Sequence, residues 1–147
     1  MLLNLAIGLP VMLLCLTIQT SATFWSVLYY LRISNKPSSR KGFIAGIRPL
    51  LNVMLIMMLG NFVQIAIWGI TFMLLGEFTN IYEAVYHSGV NFTSLGYGDF
   101  VMSDQWKLLG PLEAANGILM FGITGAALMA ILQQFIKTHP EFNRKQD

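Results

Sequence analysis

Long stretches without a charged side chain constrain this sequence more than any other feature. The first charged residue is Arg32, so residues 1–31 form one uncharged run, and residues 50–76 form a second. Residues 114–136 form a third apolar segment. A helix needs roughly 20 apolar residues to cross the hydrocarbon of a bilayer. Each run is long enough, so the sequence predicts a multi-pass membrane protein with three spans.

The composition agrees with a bilayer environment and limits the classes of function. Charged residues make up 11% of the chain, whereas soluble domains contain about a quarter. The first run has no Lys or Arg before its apolar core and is longer than a signal-peptide core, so we expect it to be retained. Cys15 is the only cysteine, which excludes an intrachain disulfide and a thiolate metal cluster. The formal net charge of +2 gives no reason to expect a nucleic-acid partner.

The distribution of charge predicts an orientation in the membrane. Eight of the nine basic residues lie between the first two spans or after the third: Arg32, Lys36, Arg40, Lys41, Arg48, Lys137, Arg144 and Lys145. The segment between spans two and three is acidic instead: Glu77, Glu83, Asp99, Asp104 and Glu113. Because basic loops stay cytoplasmic, we expect the N-terminus outside and the C-terminus in the cytoplasm. The location is the cell membrane, which for a bacterium is the inner membrane.

A short helix is predicted between spans two and three. Asn80 and Glu83 have the spacing of an N-cap and its reciprocal capping carboxylate. A helix over residues 80–92 would be roughly 20 Å long, too short to cross the bilayer. The sequence therefore predicts a re-entrant helix whose C-terminal end, the negative end of its dipole, favours a cation.

The seven residues after this helix carry the strongest functional pattern. Residues 93–99 read Thr-Ser-Leu-Gly-Tyr-Gly-Asp. Gly96 and Gly98 can adopt backbone angles closed to other residues, so successive carbonyls can point the same way. Carbonyl oxygens aimed at one axis can replace the hydration shell of a K⁺ ion.

From Leu50 to Phe135, this order of elements resembles the pore module of the two-transmembrane ion-channel family, which includes bacterial potassium channels. Leu112-Glu113-Ala114 resembles the start of that family's inner helix. The resemblance implies that K⁺ binds the carbonyls of four residues: Ser94, Leu95, Gly96 and Tyr97. It also implies that Gly98 permits the turn after the filter and that Asp99 anchors the filter from behind. We expect Thr93 and His87 to support the filter as well.

The resemblance gives the fold class and the division of the chain. We predict an all-α membrane protein with three transmembrane helices, a re-entrant pore helix and a selectivity-filter loop, assembled as a tetrameric channel. The N-terminal helix is 1–31, the basic cytoplasmic linker 32–48, the pore module 49–137 and the short cytoplasmic tail 138–147. Within the module, the outer helix is 49–76, the pore helix 80–92, the filter 93–99 and the inner helix 111–137. Gly8 and Pro10 indicate a kink or the start of the ordered crossing.

Several positions depart from the commonest filter pattern. Ser94 stands where threonine is usual, Leu95 replaces valine, and Met102 replaces a proline that often follows the filter. These changes suggest a looser filter. His87 has two interpretations: a packing residue, or a hydrogen-bond partner of Tyr97 or Asp99 that makes conduction sensitive to external pH.

Other side chains leave alternatives open. Small residues in span three, among them Gly117 and Gly122, suit either close helix packing or a pore-facing or bending role. Glu113 suits the first turn of the inner helix, near its positive dipole end. Polar residues in span two, including Gln64, are typical of hydrogen bonds between helices. The basic segment 34–42 suits a solvated loop near anionic lipid headgroups, or a lipid sensor.

The sequence favours a K⁺-selective channel over three alternatives. One is a weakly selective cation channel, and another is a non-conducting subunit of a different channel. An enzyme is not expected, because His87, His139 and Cys15 form no legible nucleophile-base or metal set. We expect permeant K⁺ ions, no organic cofactor, a homotetramer and contact with membrane lipids.

Overall fold

The computed structural model describes residues 1–34 and 43–138. In these ranges the chain forms four helices: α1 (Leu2–Ser34), α2 (Phe43–Leu74), α3 (Ile81–Phe92) and α4 (Leu109–Thr138). No strand occurs among the described residues, which confirms the all-helical class. The predictions for basic residues 36, 40 and 41 and for the tail after 138 fall outside these ranges.

Three of the helices are long and apolar enough to cross a membrane. The qualifying stretches are Leu2–Ile33 in α1, Ile47–Leu74 in α2 and Leu109–Lys137 in α4. This confirms the three spans expected from the uncharged runs. Helix α2 begins at Phe43, so Arg48 lies within its first two turns instead of in a linker.

Helix α1 packs against α2 and α4 of its own chain. The helix continues through Pro10, so Pro10 does not mark its start. Gly8 lies where a Cβ would come within 2.7 Å of the Leu112 side chain of α4. The close approach at Gly8 therefore packs the N-terminal part of α1 against the first turns of α4.

A buried polar group, Gln19, joins α1 to both neighbouring helices near the middle of its span. Its Nε2 donates to Thr124 Oγ1 of α4 at 2.8 Å. Its Oε1 accepts from Gln64 Nε2 of α2 at 2.8 Å. Both glutamines are fully buried. Hydrogen bonds between membrane helices contribute about 0.6 to 2 kcal/mol each. The predicted interhelical role of Gln64 is confirmed.

Helix α2 ends in a glycine cap that positions the segment before α4. Gly76 has a φ of +78°, and the Glu77 N–H donates to the Phe72 carbonyl at 3.1 Å. This is the arrangement of a Schellman motif. The Glu77 carboxylate then accepts from the Ser103 N–H at 2.7 Å and the Ser103 hydroxyl at 2.6 Å. The segment before α4 is thereby attached to the end of α2.

Candidate functional site

Helix α3 lies between α2 and α4 and contacts both. Asn80 caps its N-terminus by accepting a hydrogen bond from the Tyr82 N–H at 2.9 Å, which confirms the predicted cap. With 12 residues the helix is roughly 18 Å long. Its close contact with α2 depends on Gly69, where a Cβ would lie 3.1 Å from the Val85 Cα.

The C-terminal cap of α3 sets the backbone of the predicted filter. The Leu95 N–H donates to the Val90 carbonyl at 2.9 Å, and the Ser94 N–H donates to the Asn91 carbonyl at 2.8 Å. This pair of bonds is a Schellman motif with Ser94 in the left-handed position, which usually holds glycine. Ser94 accordingly has a φ of +58°. The innermost residue of the predicted filter is thus held by the end of the helix.

The sign of φ alternates along the rest of the loop. Ser94, Gly96 and Gly98 have φ values of +58°, +63° and +78°, whereas Leu95 and Tyr97 are not in the positive region. In an extended strand, carbonyls alternate between two sides. Reversing φ at every second residue turns them toward one side, and glycine permits this at two of the three positions.

The predicted filter loop is exposed in the single chain. All residues from 93 to 101 are exposed, with Leu95 at 54% and Tyr97 at 64%. A cleft of about 380 Å³ opens beside the loop, with Asn91, Ser94 and Pro111 among its lining residues. The chain's own helices therefore support the loop at its inner end and leave its remaining surface uncovered.

Tyr86 holds the C-terminal end of the loop. Its hydroxyl donates to Asp99 Oδ2 at 2.8 Å. The bond to the Asp99 carboxylate raises the pKa of Tyr86 above its ordinary 10.0. The phenol is therefore protonated at neutral pH, and the bond is lost only as the pH rises through that raised pKa. We did not predict this contact, although Tyr86 lies on the predicted short helix.

His87 is a packing residue in the structure. Its ring centroid lies 5.5 Å from that of Phe72 and 5.1 Å from that of Phe78. Its Nε2 is 2.9 Å from Asn91 Nδ2. Burial lowers the pKa of His87 below 6.5, and the Glu77 carboxylate offsets only part of that effect. The structure shows Tyr86, and not His87, in the bond to Asp99.

Removing the Tyr86 hydroxyl should loosen the C-terminal end of the loop. For Tyr86→Phe we expect the K⁺ preference that the sequence predicts for this loop to fall severalfold, because Asp99 loses a charge-assisted hydrogen bond. The measurement is the reversal potential of the reconstituted protein under opposed K⁺ and Na⁺ gradients. Tyr82→Phe is the control, since the Tyr82 hydroxyl bonds no described residue. Equal selectivity in both variants would contradict the role of Tyr86.

Two residues of α4 hold that helix against α3. Gly117 lies so close to α3 that a Cβ there would meet the Phe92 carbonyl oxygen at 1.9 Å, so close packing is the interpretation that the structure favours. Gly122, by contrast, has open space around it in the single chain.

Glu113 lies beyond the first turn of α4, fully buried and hydrogen-bonded to Ser88. The predicted position in the first turn is wrong, because the helix begins at Leu109.

The family model described as ion channel matches residues 53–134, more than half of the chain. The protein belongs to the ion-channel family. The matched region of this channel runs from the first half of α2, through α3 and the loop, to near the end of α4, and it leaves out α1. No curated protein and no solved structure gives a significant match to the channel. The channel is thus a multi-pass membrane protein whose family match contains residues 93–99.

Proposed function

We propose that the protein is a K⁺-selective channel that conducts potassium passively through a carbonyl-lined filter. The observation that carries this proposal is the alternation of φ at Ser94, Gly96 and Gly98. Such a backbone can present consecutive carbonyls to one line of ions. The oxygens of Ser94, Leu95, Gly96 and Tyr97 would then replace water around each dehydrated K⁺.

The position of the loop supports the same proposal. It begins at the C-terminal end of α3, where the negative end of a helix dipole favours a cation. Irregular backbone at membrane depth is tolerated where protein encloses it or where it lines an aqueous path. A loop of this kind, on a helix too short to span, suits a site that holds ions within the bilayer.

Four copies of the chain would complete the site. One loop cannot surround an ion, and cyclic assemblies place equivalent loops around a shared axis. The exposure of Leu95 and Tyr97 and the open cleft beside Ser94 fit a surface that neighbouring copies cover. The homotetramer is therefore part of this proposal.

The orientation follows from the distribution of charge. The described part of the segment between α2 and α4 contains Glu77, Asp99 and Asp104, and the single cation Lys107 is paired with Asp104 at 2.8 Å. Basic residues flank the opposite ends of the spans. We propose that the loop enters from outside the cell and that the N-terminus is also outside. Single cysteines placed at residues 79 and 36, in a protein whose Cys15 is replaced by serine, test this with an impermeant reagent: residue 79 should react from outside and residue 36 should not.

The experiment that tests conduction is ion flux through the purified protein in liposomes. We expect K⁺ efflux that external barium blocks, and a reversal potential that follows the K⁺ gradient when Na⁺ is on the opposite side. Empty liposomes are the control. A reversal potential near zero under these conditions would favour the weakly selective cation channel, for which Ser94, in place of the usual threonine, gives a reason. Tetramers that pass no ion would favour the non-conducting subunit.

A further inference from the structure

One hydroxyl group links three helices behind the predicted filter. Ser88 Oγ of α3 lies 2.7 Å from the Ile65 carbonyl oxygen of α2. The same oxygen is hydrogen-bonded to Glu113 Oε1 of α4. Ser88 and Glu113 have no exposed surface. This triad of Ile65, Ser88 and Glu113 therefore joins both long helices of the family module to the short helix that carries the loop.

Counting protons in this triad fixes the state of the carboxyl group. The Ser88 hydroxyl has one proton to donate, and the Ile65 carbonyl has none. If that proton points to Ile65, the contact between Ser88 and Glu113 is a hydrogen bond only when the carboxyl group supplies the proton. If it points to Glu113, two oxygens without a proton between them face each other at 2.7 Å. Both contacts are favourable only with a protonated Glu113.

The surroundings of the carboxyl group provide no charge to balance an anion. Its Oε2 has no hydrogen bond to any described residue. The groups that face it are uncharged: the Asn91 amide and Ser88 hydroxyl of α3, and the buried Cys15 thiol of α1. The ion pair found among residues 1–34 and 43–138 joins Lys107 to Asp104, in the segment before α4, and does not involve Glu113. Burying an unpaired carboxylate among these uncharged groups costs roughly several kcal/mol of free energy.

We propose that Glu113 is a neutral carboxylic acid in the folded protein, and that it positions α3 by donating to Ser88 while Ser88 donates to Ile65. Ser94, the first residue of the loop with a positive φ, follows Ser88 by six residues, and the residues between them lie in the last turns and the C-cap of α3. A displacement of Ser88 would therefore move the start of the loop. This role does not depend on which ion the protein conducts.

Infrared spectroscopy of the purified protein tests the protonation state directly. At neutral pH we expect the parent protein to show the C=O stretching band of a protonated carboxylic acid. The band should be absent from Glu113→Gln and unchanged in Glu83→Gln, a matched substitution of an acid at the start of α3. A parent spectrum without the band would overturn the proposal, whatever the variants do in other assays.

Ion flux and thermal stability test the positioning role. The amide of Glu113→Gln can donate to Ser88 as the acid does, so we expect flux within about twofold of the parent. Glu113→Ala and Ser88→Ala break the link, and we expect about a tenfold loss of flux together with a lower melting temperature. If Glu113→Gln had a melting temperature and an ion flux as low as those of Glu113→Ala, the carboxyl group would be needed as an anion and the proposal would fail. Should the protein conduct no ion at all, the infrared band and the melting temperatures still decide this question.

Discussion

Alanine in place of Gly117 is expected to abolish ion flux and destabilise the protein. The added Cβ would lie 1.9 Å from the Phe92 carbonyl oxygen, 2.7 Å from its carbonyl carbon and 3.0 Å from its Cα. All three are backbone atoms at the end of α3, so no side chain can move aside. Overpacking in a well-packed interior costs about 1–3 kcal/mol, and a clash with rigid backbone on both sides belongs at the upper end of that range or above. The measurements are the melting temperature and K⁺ flux.

Gly89→Ala is the matched control for this experiment. Gly89 lies on α3, and its added Cβ would make an ordinary contact of 3.9 Å with the Ile65 side chain. Alanine also favours helix over glycine by about 0.5–1 kcal/mol, so we expect this variant to be at least as stable as the parent. A Gly117→Ala protein with the parental melting temperature and flux would show that α4 does not meet α3 in the way described.

The second large effect is expected for Gly96→Asp, which should reduce K⁺ flux by about a hundredfold or more. Gly96 has a φ of +63° and lies in the middle of the alternating backbone. A side chain there strains the conformation that aims the carbonyls, and its carboxylate would hold a cation in place. The measurement is barium-sensitive K⁺ efflux from liposomes containing assembled protein.

Gly76→Asp is the control that distinguishes general backbone strain at a positive φ from an effect specific to the predicted filter. Gly76 has a similar φ of +78°, and both positions have no atom within 4 Å of an added Cβ. Gly76 caps α2, however, outside residues 93–99. We therefore expect Gly76→Asp to retain most of the flux. Parental flux in Gly96→Asp would contradict the assignment of a filter to this loop, and equal losses in both variants would attribute the effect to backbone strain.

Much of the fold could be predicted because it follows from local rules. Spans follow from uncharged length, and α3 follows from the Asn80 cap and from its short distance to the loop. The family follows from the order of these elements around residues 93–99. Each of these signals is contained within a few consecutive residues or within one helix.

The contacts that hold the elements together were less predictable. The inward position of Glu113 depends on which face of α4 meets α3, and Leu109 as the first residue places it beyond the first turn. Gly117 carried two interpretations, because a small residue suits close packing and bending equally well until its neighbour is known. Tyr86 and Asp99 are thirteen residues apart, and the cap of α3 brings them together by reversing the chain. Such pairings depend on tertiary geometry, which spacing alone does not specify.

The bonds of Gln19 have a mechanical consequence. Its buried side chain bonds α4 at Thr124 and α2 at Gln64, and a buried polar group that loses its partner is costly because no water replaces the bond. A tilt or slide of α4 away from α2 must therefore carry α1 with it or break one of these bonds. Helix α1 thus couples α2 to α4, so a relative movement of those two helices involves α1 as well.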